Sequence, residues 1–134
     1  MSPAQVTEAP SVSLVVPARA EYVLLARLAL SAVCRLTPLR SEDTADLKLA
    51  ITEAAAMRTA PEGAESPDGV PLEFDFRLDP DRLVVGVTGG AENASPDADQ
   101  ELSRSIVEAT VDECDFGGDT IRLVKRLDSV DDGS

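Results

Sequence analysis

The sequence predicts an α+β two-layer sandwich, with about three helices covering one face of a mostly antiparallel sheet. Three observations carry that prediction. Val70, Leu72, Phe74, Phe76 and Leu78 alternate strictly with Pro71, Glu73, Asp75 and Arg77, the period of a half-buried strand. After the turn residues Asp79, Pro80 and Asp81, the stretch Arg82 to Thr88 returns as its antiparallel partner. Segments with apolar residues at helical spacing stand before this hairpin and after it, which suits helices gathered on one face of an antiparallel sheet.

In chain order, Met1 to Pro10 is polar with two prolines and reads as a flexible leader. A single domain is expected over residues 11–127, followed by an acidic tail over 128–134. Ser11 to Val16 reads as a strand ended by Pro17. From Ala20 to Arg35, Val23, Ala26, Leu30 and Val33 form the buried stripe of an amphipathic helix, with Arg27 near its edge.

A second helix is expected from Glu42 to about Thr59, with Ser41 as N-cap and Glu42 and Asp43 favoured by the positive end of its dipole. Leu47, Ala50, Ile51, Ala54 and Met57 make its core line, which turns Asp43, Asp46, Lys48 and Arg58 elsewhere. Pro61 to Gly69 reads as a mobile loop, and Gly89 to Asp99 as another. A third helix is placed over Gln100 to Glu113, with Leu102, Ile106, Ala109 and Thr110 on its inner face. A short strand at Glu113 to Phe116, a turn at Gly117 and Gly118 and a last strand over Asp119 to Leu127 complete the order.

Composition excludes several classes of function. The chain carries 25 acidic against 12 basic residues among its 134, a formal charge of −13, so it gains nothing from counterion release and nucleic acid is not an expected partner. No run approaches the roughly 20 apolar residues of a membrane helix and the start lacks a signal sequence, so no membrane partner and a cytoplasmic location are expected. With no His, a His-based catalytic triad or a His-ligated metal site cannot be built, and no metal site is expected. Cys34 and Cys114 lie in apolar-periodic stretches and read as small core residues, with a redox pair as the minor alternative.

Three segments then carry a resemblance. They are Pro17-Ala18-Arg19-Ala20-Glu21-Tyr22-Val23 leading into Ala26-Arg27-Leu28, then Asp46 to Ala54, and finally Ile121 to Leu127. In order and spacing they resemble the anti-sigma factors and serine kinases built on the histidine-kinase-like ATPase fold. That resemblance implies an ATP site at three places, and this sequence departs from it at each. The Glu of the second helix is present as Glu53, but the Asn four residues on, a magnesium ligand, is Met57, whose thioether does not suit a hard cation. The Asp that reads adenine falls on Gly89, and the following glycine positions hold Ala91 and Asn93. The glycine-rich phosphate lid falls on Glu101 to Ser105, which contains no glycine.

These positions are therefore read as a vestigial ATP site, with no cofactor and no catalytic residue. Taken alone, Glu53 reads as a solvated helix carboxylate, and Gly89-Gly90 as a turn. The resemblance further implies that Arg27, with Arg19 and Glu21 nearby, contacts a protein partner; an ordinary salt-bridged surface Arg is the other reading of Arg27. The function so implied is that of an anti-sigma factor, which sequesters a stress or developmental sigma factor and is released by an anti-anti-sigma protein. Relatives of this kind pair as homodimers, so a homodimer is also implied. Two alternatives stay open: an active ATP-dependent serine kinase of the antagonist, and a pseudo-ATPase that senses a small ligand.

Overall fold

A computed structural model of the protein describes residues 10–59, 70–90 and 97–127. The elements run β1 (Ser11–Val16), a 3-10 turn (Ala20–Tyr22), α1 (Val23–Cys34), α2 (Ser41–Ala56), β2 (Leu72–Leu78), β3 (Arg82–Gly89), α3 (Asp97–Thr110), β4 (Glu113–Gly117) and β5 (Thr120–Arg126). The five strands form one sheet in the order β1-β2-β3-β5-β4, and every neighbouring pair is antiparallel. The expected α+β sandwich is the fold observed.

Register follows from the alternation. Phe74 pairs with Leu14 on one side and Val87 on the other, while Phe76 pairs with Val85, which in turn pairs with Leu123. These residues share one face, and Phe74, Phe76, Val85, Val87 and Leu123 are all buried on it. The opposite face carries Glu73, Asp75 and Arg77 from β2 and Arg122 from β5, as expected for a sheet covered on one side.

Helix α1 buries all four residues of its expected stripe, Val23, Ala26, Leu30 and Val33. Its first three expected residues form the separate 3-10 turn, closed by Tyr22 N–H donating to the Arg19 carbonyl at 3.0 Å. Helix α2 buries Leu47, Ala50, Ile51 and Ala54, again as expected, but two details differ. Ser41 is inside the helix rather than its cap: Arg40 holds the cap position and donates its backbone N–H to Asp43 Oδ2 at 3.4 Å. The helix also ends at Ala56, before Arg58.

Helix α3 departs most from expectation. Leu102 is 60% exposed and Ala109 is exposed, whereas Ser103 and Val107 are buried, so the inner face is displaced by one residue, about 100° on the helix. Two contacts fix that orientation: Ser103 Oγ donates to Glu53 Oε1 on α2 at 2.7 Å, and the Arg104 guanidinium lies 4.5 Å from the ring centre of Phe116 on β4. The helix also stops at Thr110 rather than Glu113, because Asp112 N–H already donates to the Val124 carbonyl at 2.9 Å and commits the chain to the sheet.

Cys34 and Cys114 are both free thiols. Burial is the main influence on each and pushes both thiols up, at Cys34 against weaker opposing effects of Thr44 and Lys48. The two thiols are not joined, so the redox pair is not formed in this structure. The expected leader, the loop at Pro61 to Gly69 and the acidic tail lie outside the described residues, apart from Pro10, whose carbonyl accepts from Leu78 N–H at 2.9 Å.

The orientation of α3 can be tested by urea unfolding. Phe74→Ala is expected to cost about 3–5 kcal/mol, while Leu102→Ala stays within about 0.5 kcal/mol. A loss of core size at Leu102 would restore the face read from sequence.

Candidate functional site

Two regions hold the residues singled out above. The first surrounds the C-terminal end of α2, where the helix, the start of β2 and the facing ends of β3 and β5 converge. Gly89 donates its N–H to the Asp119 carbonyl at 3.1 Å, and Gly90 donates to the Pro71 carbonyl at 3.3 Å. Both glycines have positive φ, 90° and 74°. A Cβ on Gly89 would meet the Pro71 carbonyl oxygen at 2.3 Å, and one on Gly90 would meet the Arg58 carbonyl oxygen at 2.3 Å. Glycine is required here by conformation and by space together.

Arg58 completes this junction, against the expectation that it points away from the core. It is only 7% exposed, and its Nε donates to the Gly89 carbonyl at 2.8 Å while a terminal nitrogen donates to the Asp119 carbonyl at 3.0 Å. The helical periodicity that turned Arg58 outward does not apply, because α2 has ended and Arg58 N–H closes a tighter turn onto the Ala55 carbonyl at 2.9 Å. The planar guanidinium bonds at once the last carbonyl of β3 and that of the turn residue before β5, a fork an ammonium cannot match. Met57, just before it, is half-buried and packs against the core, as its place on the apolar line implies.

One turn back along α2, Glu53 is half-buried and accepts the hydroxyl of Ser103. The plain reading of Glu53 as a solvated carboxylate is thus incomplete, since α3 lies against it and uses one of its oxygens. Glu101 to Ser105, where a glycine-rich lid would fall, lie within α3. Ala91 and Asn93 lie outside the described residues. Among the described residues, no group of three or more acidic or cysteine side chains is placed to hold a metal.

The second region is the outer face of α1. Arg27 is exposed there and, among the described residues, has no ion-pair partner, so its reading as a salt-bridged surface residue finds no partner here. Leu24, Leu25 and Leu28 flank it at 55%, 44% and 58% exposure. Just before the helix, Arg19 and Glu21 pair with each other at 3.3 Å, both well exposed. The three leucines were visible in sequence as apolar residues left over after the core stripe was filled, and that surplus was the signal for an exposed apolar face.

No family model matches the chain. The serine-protein kinase RsbW of Bacillus pumilus (strain SAFR-032) is 31% identical to it over 115 residues, which cover 84% of this chain and 70% of that protein. The chain belongs to the family of anti-sigma factors and serine kinases. Glu53, Met57 and Gly89, which the resemblance expects at an ATP site, lie together in the first region, and Arg27, which it expects at a partner contact, lies in the second. Arg58 and Ser103 were missed by sequence reasoning because a buried Arg and a buried Ser leave no hydropathy signal.

Arg58→Ala is expected to cost about 2–4 kcal/mol in urea unfolding, since it removes two hydrogen bonds made by a charged donor. Arg58→Lys recovers only part of that loss. Gly89→Asp is expected to cost about 1–3 kcal/mol or more from backbone strain and collision. A fully stable Gly89→Asp variant would show that the junction can open.

Proposed function

We propose that this protein is an anti-sigma factor that sequesters an alternative sigma factor by direct binding and is released by an anti-anti-sigma protein, with ATP binding and kinase activity lost. The observation that carries the binding half is the outer face of α1, an exposed Arg without an ion-pair partner among the described residues, set among three exposed leucines. Arg anchors ringed by apolar side chains are the usual energetic centre of a protein interface. The charge of −13 favours a basic partner, speeds its capture and discourages acidic competitors. Arg19 and Glu21 extend the same surface, and an antagonist competing for it releases the sigma factor by exchange. The same reading takes the protein as a cytoplasmic homodimer acting in a stress or developmental switch.

Support for the loss of ATP handling comes from the junction at the end of α2. Met57 offers no oxygen ligand to magnesium. Gly89 occupies the adenine-reading position with a backbone that a carboxylate-bearing residue does not readily adopt, and Glu53 already accepts a bond from α3. Control of this protein then falls to partner exchange, to phosphorylation by another enzyme, or to a different ligand. An active kinase is the alternative favoured by one specific observation, the serine-protein kinase relative.

Affinity capture of the tagged protein with and without magnesium-ATP, read by mass spectrometry, separates these readings. A sigma factor retained equally in both conditions is the expected result, and Arg27→Ala is expected to weaken its binding by about 2 kcal/mol, roughly thirtyfold. Capture that needs ATP, or transfer of the γ-phosphate to an anti-anti-sigma protein, would replace this reading with that of a kinase. Met57→Asn alone is expected to gain no magnesium-dependent ATP binding by calorimetry. Tight binding in that variant would mean that the other departures are harmless.

A further inference from the structure

The opposite end of α2 borders an open cleft of about 520 Å³ that none of the roles above uses. Ser31 and Arg35 reach it from the last turn of α1, and Ser41, Thr44 and Lys48 line it from one face of α2. Its position is remote from the junction described above: Thr44 and Met57 are thirteen residues apart on α2, close to 20 Å at ~1.5 Å per residue.

The lining is unusual for this chain. Although 25 of 134 residues are acidic, no carboxylate lines the cleft, while two cations do. Among the described residues neither Arg35 nor Lys48 has an ion-pair partner. Lys48 and Cys34 line the cleft together, and the Lys48 charge opposes the burial that pushes this thiol up. Thr37 is spent on the local chain, donating to the Cys34 carbonyl at 2.7 Å and accepting from Leu39 N–H at 3.2 Å. The hydroxyls of Ser31 and Ser41 make no hydrogen bond to another described residue and are available to a ligand.

We propose that this cleft binds a small phosphate-bearing anion, with Arg35 and Lys48 neutralising the phosphate and the hydroxyls of Ser31 and Ser41 orienting it. A forked guanidinium and a point-charge ammonium are the two side chains best suited to phosphate oxygens. A dianion matches the two cations, and hydroxyl donors complete the shell around its oxygens. The cleft is larger than a phosphate alone, so an organic remainder lies against Leu39 and Ala45. This inference does not rest on the sigma-factor reading, and either can fail without the other.

Titration of the ¹⁵N-labelled full chain with inorganic pyrophosphate, followed by amide NMR shifts, tests it directly. Saturable shifts confined to residues 31–48, not reproduced by sodium chloride at equal ionic strength, are the expected result. Arg35→Gln and, separately, Lys48→Met are each expected to weaken binding about tenfold while leaving the rest of the spectrum in place. Shifts that sodium chloride reproduces, shifts centred on residues 53–58 and 89–90, or unchanged affinity in both variants would overturn the proposal.

Discussion

Everything in this fold depends on covering one face of an antiparallel sheet. Phe74 and Phe76 from β2, Val85 and Val87 from β3 and Leu123 from β5 present a continuous apolar surface that water cannot be allowed to meet. Helices α1 and α2 supply the cover with Leu30, Leu47 and Ile51, all fully buried. The sheet's other face mixes Glu73, Asp75, Arg77 and Arg122 with Val84 and Val124, two valines that are also buried. The constraint also decides what is left over: any apolar residue on a helix beyond those needed for the cover must face outward, as Leu24, Leu25 and Leu28 do on α1.

Where the sequence carried a clean period, the structure could be read from it. The alternation of β2 leaves only one way to bury its apolar residues, and the stripe through Val23, Ala26, Leu30 and Val33 is the face α1 buries, so both faces were legible. Helix α3 was expected to bury the stripe through Leu102 and Ile106, whereas the folded chain buries Ser103 and Val107. Hydropathy favours the first, but the bond from Ser103 to Glu53 and the stacking of Arg104 on Phe116 turn the helix to the second. Such contacts join residues far apart in the chain, and no local window contains them.

The same limit hid Arg58. A cationic residue at the end of a helical pattern reads as solvated, and only the folded chain shows the Gly89 and Asp119 carbonyls at the correct separation. Family resemblance located Glu53, Met57 and Gly89 as positions of interest but said nothing of the residue that ties them to the sheet. The two ends of α2 thus differ in kind: the C-terminal end is latched by hydrogen bonds to its neighbours, while the N-terminal end borders an open cleft whose two cations have no ion-pair partner among the described residues.

The glycine at position 89 makes the latch hard to revise one residue at a time. Its backbone has settled into a left-handed conformation with the Pro71 carbonyl occupying the space a side chain would need. Any side chain placed at this position by a single codon change therefore enters a strained protein, and position 89 accepts one only after the β2 entrance and the end of α2 have moved.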